Sequence, residues 1–273
     1  MPQIYTNPVR CGIIYKEIKR GECRAKTDAA KVKIVEIMDE IPESIGTRTK
    51  PQQFDMASYF KSRSRQEFFD DGFRCSGRVY YRIIGDVFQS FRLHKAGAGT
   101  RCMIEFAVLP LCEGAAVRKT SSGSDRIKAF GDVHSWFEYE KTKNSIIRCG
   151  ELMIAFINTY LMPFFNGSDT AEKAYDSVVK FQKEHRKEGL DMADPHLYYM
   201  AIKSKKYDAA LSHLLARKEF VSSGRRDETG LLSDEEEIDF AVRKLEKKDY
   251  KYFEDLVYEN EKIARFNITG KTV

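Results

Sequence analysis

The sequence has no close cysteine pairs and no long apolar run. Its six cysteines show no C-x-x-C spacing. Zinc sites usually draw ligands from such pairs, so neither a metal centre nor another cofactor is expected. No segment approaches the ~18 apolar residues of a membrane span, and the first residues lack the apolar core of a signal peptide. We therefore predict a cytoplasmic protein with no membrane association and six free thiols, because disulfide scaffolds belong to oxidising compartments.

Neither sign of charge dominates the chain. There are 46 Lys and Arg against 41 Asp and Glu, which gives a net charge of +5 over 273 residues. A nucleic-acid binder usually concentrates more positive charge than this. A hydrophobic content of 42% and a charged content of 32% are typical of a folded globular chain.

Recognisable catalytic motifs are also missing. The sequence has no serine elbow, no Cys–His signature and no paired catalytic carboxylates. The loop containing Gly97 and Gly99 lacks the Lys-Ser/Thr of a phosphate-binding loop, and it joins two predicted strands. An enzyme is therefore the less favoured class of protein.

Three consecutive strand patterns organise the chain. Arg78–Ile84, Val87–Leu93 and Cys102–Leu109 are rich in β-branched and aromatic residues, which suit a pleated, half-buried surface. Gly85-Asp86 between the first two fits a two-residue primed turn. These patterns predict an antiparallel meander.

The turn fixes the register of the first hairpin. Neither face of that hairpin is purely apolar, because each carries arginine. Arg78 and Arg82 lie four residues apart on one predicted strand, so their side chains should share a side. We interpret them as partly hydrated donors that a partner can reach and that folding does not need. The predicted opposing pairs are Ile84 with Val87, Arg82 with Gln89, and Tyr80 with Phe91.

The predicted architecture is an α+β fold. Residues 1–55 form an N-terminal extension of uncertain structure, and a proline-bearing linker makes Met56 a domain boundary. Residues 56–143 form an antiparallel sheet of four or slightly more strands, of which Val133–Tyr139 is the fourth. Residues 144–273 pack helices on this sheet and continue as an all-helical C-terminal tail.

From Asn144 the apolar period changes to that of a helix. A broad apolar surface up to Leu161 predicts a central helix packed on the sheet, ended by Pro163. The pair of helices around Lys205-Lys206 resembles half of a tetratricopeptide repeat, of which only one copy is visible. Further helix starts are predicted at Asp169, Asp194-Pro195, Ser233 and Asp249.

Several short motifs follow one another along the middle of the chain. They are Asp71–Phe73, Gly77–Arg82, Gly85–Leu93, a third strand ending near Leu109, and the strand with Trp136-Phe137. Over about Met56–Phe220 these motifs resemble a bacterial family catalogued as domain of unknown function number 4304. The resemblance implies an α+β fold in bacteria and brings no activity. This chain has His94 where such domains often show glutamine, and Glu105 near a usual asparagine.

The favoured function is non-catalytic recognition of another protein, in toxin neutralisation or in regulation. Arginines and aromatics of the kind enriched at interfaces support this interpretation. The candidate binding residues are Arg78, Arg82, Gln89, Arg92, His94, Glu105 and Trp136.

Two alternatives stay open. An enzyme would combine His94 or His134 with Glu105, as base and orienting carboxylate on the sheet. A binder of single-stranded nucleic acid would stack bases on aromatic side chains beside arginines. For the second alternative the residues are Tyr80, Phe91 and Trp136 beside Arg78 and Arg82.

Overall fold

A computed structural model describes residues 54–96, 100–118, 125–126, 136–185, 191–225 and 231–270. Almost all of the predicted N-terminal extension lies outside these residues, as do His134 and the loop glycines. For 125–126 and 185 the backbone alone is described.

The sheet is an antiparallel meander, which confirms the predicted α+β fold. Its four main strands are neighbours in chain order, and two further strands of two residues each pair with the last of them. The main strands are β1 Arg74–Ser76, β2 Val79–Ile84, β3 Val87–Lys95 and β4 Arg101–Pro110, and the short ones are β5 Asp125–Arg126 and β6 Phe137–Glu138. The short β1 and β5 show too few alternations to be predicted from sequence.

The predicted register between β2 and β3 is confirmed. Arg82 lies opposite Gln89, and Tyr80 lies opposite Phe91. The turn residue Gly85 has a φ of +57°, which L side chains rarely adopt. A Cβ atom on it would also lie 2.5 Å from the carbonyl oxygen of Asp169, so this turn requires glycine.

Eight helices complete the described fold, and acidic caps begin several of them. Asp55, Asp194, Asp234 and Asp249 each accept hydrogen bonds from the first-turn backbone N–H groups. The helices are α1 Met56–Phe68, α2 Lys143–Phe156, α3 Met162–Asn166, α4 Ala171–His185, α5 Pro195–Lys203, α6 Tyr207–Ser222, α7 Glu235–Glu246 and α8 Tyr250–Thr269, with a 3-10 helix at Leu111–Ala116.

Pro163 does not end the central helix, contrary to the sequence prediction. A π-helical turn, Ile157–Leu161, joins α2 to α3, and the N–H of Met162 donates to the carbonyl of Ile157. Proline has no N–H and its ring collides with the carbonyl four residues before it. The wider turn removes that collision, so the helix continues. The stretch Lys143–Asn166 is long and apolar enough to cross a membrane, and 56% of its most apolar window is buried inside this fold.

Side chains on the two faces of the sheet enter different cores. The face with Phe91 and Phe106 packs against helices from both predicted parts of the chain, represented by Phe60 of α1 and Met153 of α2. On the opposite face, the end near Gly85 packs against α8. At the other end of this opposite face, Arg92, His94, Glu105 and Trp136 form what we call the polar end.

Two helical hairpins form the C-terminal part of the described fold, α5–α6 and α7–α8. The turns α5–α6 and α7–α8 each contain a lysine with positive φ, at 57° for Lys205 and 56° for Lys248. The residues that follow these lysines are Lys206 and Asp249, and their backbone angles are almost the same as each other. The hairpins share one apolar cluster. The four described cysteines, Cys75, Cys102, Cys112 and Cys149, are free thiols.

Candidate functional site

Arg82 and Gln89 form a buried hydrogen-bond network. Arg82 donates from Nε to Gln89 at 2.7 Å, from one terminal nitrogen to the Asp71 carbonyl at 3.0 Å, and from the other to Asn166 at 2.8 Å. Gln89 donates in turn to the carbonyls of Phe165 and Ser168, at 2.6 and 2.9 Å. Both side chains are buried. The network ties the first hairpin to the end of α3.

The expectation that Arg78 and Arg82 point together toward a partner is wrong. Arg78 lies in the turn between β1 and β2 and is exposed. Arg82 is on the helix-covered face, where its guanidinium lies 4.7 Å from the centre of the Phe73 ring. Burial lowers the pKa of Arg82 from its ordinary value, while the nearby Asp71 opposes that shift. The donors of Arg82 are engaged inside the fold.

The polar end brings together four of the predicted binding residues. Arg92 on β3 and Glu105 on β4 are direct cross-strand partners. Arg92 donates from Nε to Oε2 of Glu105 at 2.7 Å. His94 lies two residues farther along the same face, with Nδ1 3.5 Å from Oε1 of Glu105. Its ring meets the edge of Trp136, with centroids 6.1 Å apart.

Glu105 is the buried residue of the polar end. Its side chain is only 6% exposed, against 38% for Arg92 and 43% for His94. Among the described residues, none accepts a hydrogen bond from the two terminal nitrogens of Arg92. A buried carboxylate therefore orients a partly exposed guanidinium whose outer donors have no acceptor among the described residues.

The arrangement fits the enzyme alternative only in part. Glu105 approaches His94 as an orienting carboxylate should, but 3.5 Å is the outer limit for a hydrogen bond. The nearby hydroxyl of Ser90 belongs to a fully buried residue. Within the described ranges, no group of three His, Cys, Asp or Glu side chains is placed to hold a metal ion. The polar end has a positioned imidazole but no accessible nucleophile among the side chains described above.

The stacking platforms of the nucleic-acid alternative are also inaccessible. Tyr80 and Phe91 are 2% and 0% exposed. They stack on each other in the main core, with ring centroids 5.0 Å apart and planes 10° apart. Trp136 is the remaining candidate platform, and it is half-buried.

The sequence analysis missed a buried carboxylate beside the sheet. Glu113 lies in the 3-10 helix, its side chain is fully buried, and its Oε1 lies 2.7 Å from Nδ1 of His196 at the start of α5. Burial raises the pKa of Glu113, and His196 opposes that shift. The two residues are 83 positions apart, and no local pattern marks either one. The pair joins the end of β4 to the helical hairpins.

A second missed network lies between α4 and α6. The Nδ1–H of buried His213 donates to the Met192 carbonyl at 2.9 Å, which leaves Nε2 to accept from the hydroxyl of Tyr175 at 3.1 Å. Burial lowers the pKa of His213. The geometry therefore holds a neutral imidazole in one tautomer.

A groove of about 290 Å³ separates α5 from α8. Its apolar lining includes Ile202 and Val257. Lys203 crosses it to Glu261 at 2.5 Å, and burial opposes the rise in the Lys203 pKa that this pairing produces. Because the ion pair spans the groove, we assign it to the packing of the two hairpins.

Comparisons with known proteins add no functional information. No family model, no curated protein and no solved structure matches this chain. The resemblance to the bacterial family stays a prediction, and the polar end has to be interpreted from its own chemistry.

Proposed function

We propose that this chain is a non-catalytic recognition module that binds another protein through the polar end of its sheet. The observation that carries this proposal is the oriented Arg92, whose Nε donates to buried Glu105 while its terminal nitrogens have no acceptor among the described residues. Guanidinium groups and tryptophan are enriched where proteins bind each other. The half-buried Trp136 adds an apolar surface beside these donors. A bacterial cytoplasmic protein acting in regulation or toxin neutralisation remains the setting we favour.

The same residues give an enzyme one supporting observation, the approach of His94 to Glu105. Proton transfer by His94 would need a substrate group within about 3 Å of its free ring nitrogen. The described residues around it supply no second catalytic group. We therefore place recognition first.

Site-specific photo-crosslinking tests the proposal. A photoreactive amino acid replaces His94 in one variant and Phe240 in a control, since Phe240 is exposed on α7, away from the polar end. Both variants are irradiated in cells of the source organism. We expect a discrete protein adduct from position 94 that position 240 does not give.

The adduct's composition decides between the candidate functions. A nuclease-resistant adduct that yields peptides of a second protein supports protein recognition. A nuclease-sensitive adduct would replace the proposal with nucleic-acid binding. Absence of any adduct specific to position 94 would refute the polar end as a recognition surface.

A further inference from the structure

The geometry at Arg92 indicates the chemistry of its partner, and this inference rests on the proposed function. Glu105 occupies Nε of Arg92, so the two terminal nitrogens form the free side of the guanidinium. That side presents two parallel N–H groups, which match the two oxygens of a carboxylate. Because Glu105 is buried and fixed on a strand, the guanidinium is oriented before a partner arrives.

Further positive charge surrounds this donor pair. Val79 is the direct neighbour of Arg92 on β2, and exposed Arg78 precedes Val79. Exposed Arg74 on β1 projects to the same face by strand register. In the described part of the chain, neither Arg74 nor Arg78 has a hydrogen bond or ion pair. Three arginines with unused donors therefore lie on this part of the sheet.

Among the described residues, the acidic groups on the same face are fewer and already paired. Glu105 binds Arg92, and exposed Glu138 binds Arg101 at 2.5 Å. The surface therefore keeps a positive excess, which complements a negatively charged partner. A phosphate backbone would present a negative charge at every nucleotide and would use aromatic platforms, of which Trp136 alone remains accessible here.

We propose that the polar end binds an acidic segment of another protein, with one carboxylate engaged by the terminal nitrogens of Arg92. Arg74 and Arg78 add electrostatic attraction for neighbouring acidic residues. Trp136 packs against the apolar part of the bound segment. No covalent step is involved.

The position of the only tryptophan provides a direct assay. Trp136 belongs to the polar end, so its fluorescence reports occupancy of this surface without a label. The full chain is titrated with a ten-residue peptide of alternating Glu and Ser at low ionic strength. A matched peptide carries Gln at every Glu. We expect a saturable fluorescence change with the acidic peptide and binding at least ~10-fold weaker for the amide peptide, as for loss of charge-assisted hydrogen bonds.

Variants assign the effect to the guanidinium. Arg92→Gln should weaken acidic-peptide binding about tenfold, and Arg92→Lys should restore only part of it because lysine lacks the paired donors. The control Arg243→Gln makes the same charge change on exposed α7 and should alter affinity less than about twofold. Circular dichroism melting confirms that each variant folds.

Four outcomes would overturn the inference. Equal binding of the two peptides would show that the surface does not distinguish carboxylates from amides. An effect of Arg243→Gln on affinity equal to that of Arg92→Gln would show attraction to net charge alone. Tighter binding of a random single-stranded oligonucleotide than of the peptide would favour nucleic acid. If position 94 captures a protein but Arg92→Gln leaves that adduct unchanged, the proposed protein recognition is supported and the proposal of an acidic partner is wrong.

Discussion

Tyr207 and Tyr250 stack face to face, with ring centroids 4.0 Å apart and ring planes 7° apart. Each tyrosine is the first residue of the second helix in its hairpin, so equivalent positions of the two hairpins meet. The contact links two similar helix–turn–helix units at their turns.

A double-mutant cycle should reveal this link. Tyr207→Leu and Tyr250→Leu should show a coupling of about 1 kcal/mol in the free energy of unfolding. This is the usual stabilisation from an aromatic pair in addition to the burial of its apolar surface. Urea denaturation measures each stability. Tyr258→Leu, a change at an exposed tyrosine on the same helix, should be additive with Tyr207→Leu. Additive Tyr207 and Tyr250 variants would contradict a stabilising stack.

Arg82 should matter for stability and Arg78 should not. Arg82→Gln breaks bonds to Gln89, Asp71 and Asn166 and leaves the buried oxygen of Gln89 without a donor, which should cost about 3 kcal/mol. Arg78→Gln changes an exposed turn residue and should stay within about 0.5 kcal/mol. Each variant loses one positive charge, so urea unfolding compares the effect of this loss at a buried and at an exposed position. Similar stabilities would mean that the buried network contributes little to folding.

The meander was predictable because its information is local. Alternation over Val79–Lys95 and one Gly-Asp turn determine which residues oppose each other. The burial of Arg82 was not predictable, because its partner Asn166 lies 84 positions later. Pro163 also misled the analysis, since the π-helical turn before it leaves no distinct sequence signal.

The candidate site was predictable only in part. His94 and Glu105 were candidates as a base and an orienting carboxylate on the sheet, and strand pairing does bring Arg92 beside Glu105. The position of Trp136 depends on β6 pairing with β4 across a long connection. Sequence patterns do not determine such non-local pairings, so the polar end had to be seen in three dimensions.

Gly150 should resist even the smallest substitution. A Cβ atom there would lie 2.5 Å from two ring carbons of Tyr59, whose hydroxyl donates to Glu151. Gly150→Ala should therefore destabilise the fold by about 2 kcal/mol through overpacking, although alanine favours helices. In a Tyr59→Ala background the same change should instead stabilise by up to about 1 kcal/mol. Chemical denaturation of the four proteins measures both effects, and an equal cost in both backgrounds would exclude the ring contact as the cause.

His213 should make stability fall in mild acid. Burial lowers its pKa in the folded state, so the unfolded chain takes up the proton first as the pH drops below about 6.5. The stability that neutral His213 provides is therefore present above that pH and is lost below it, by at most ~1.4 kcal/mol per pH unit.

The His213→Gln variant isolates this effect, since all other titrating groups remain. Its stability deficit relative to the unsubstituted chain should be larger at pH 7.5 than at pH 5.0 in urea unfolding. Parallel pH profiles would show that His213 does not titrate differently in the two states.

Helix α8 covers the sheet with residues that are synthesised long after the strands. Ala264 and Ile268 pack with Phe88 and Leu109 in one cluster, and Arg265 donates to the Gly85 carbonyl at 2.8 Å. Ribosomes add ~5–20 residues per second, so these strands leave the ribosome on the order of ten seconds before their cover. During that interval an apolar sheet face is available to chaperones or to other nascent chains. Stable folding of this sheet should therefore wait for the synthesis of α8, and translation speed between β4 and α8 should affect the yield of the protein.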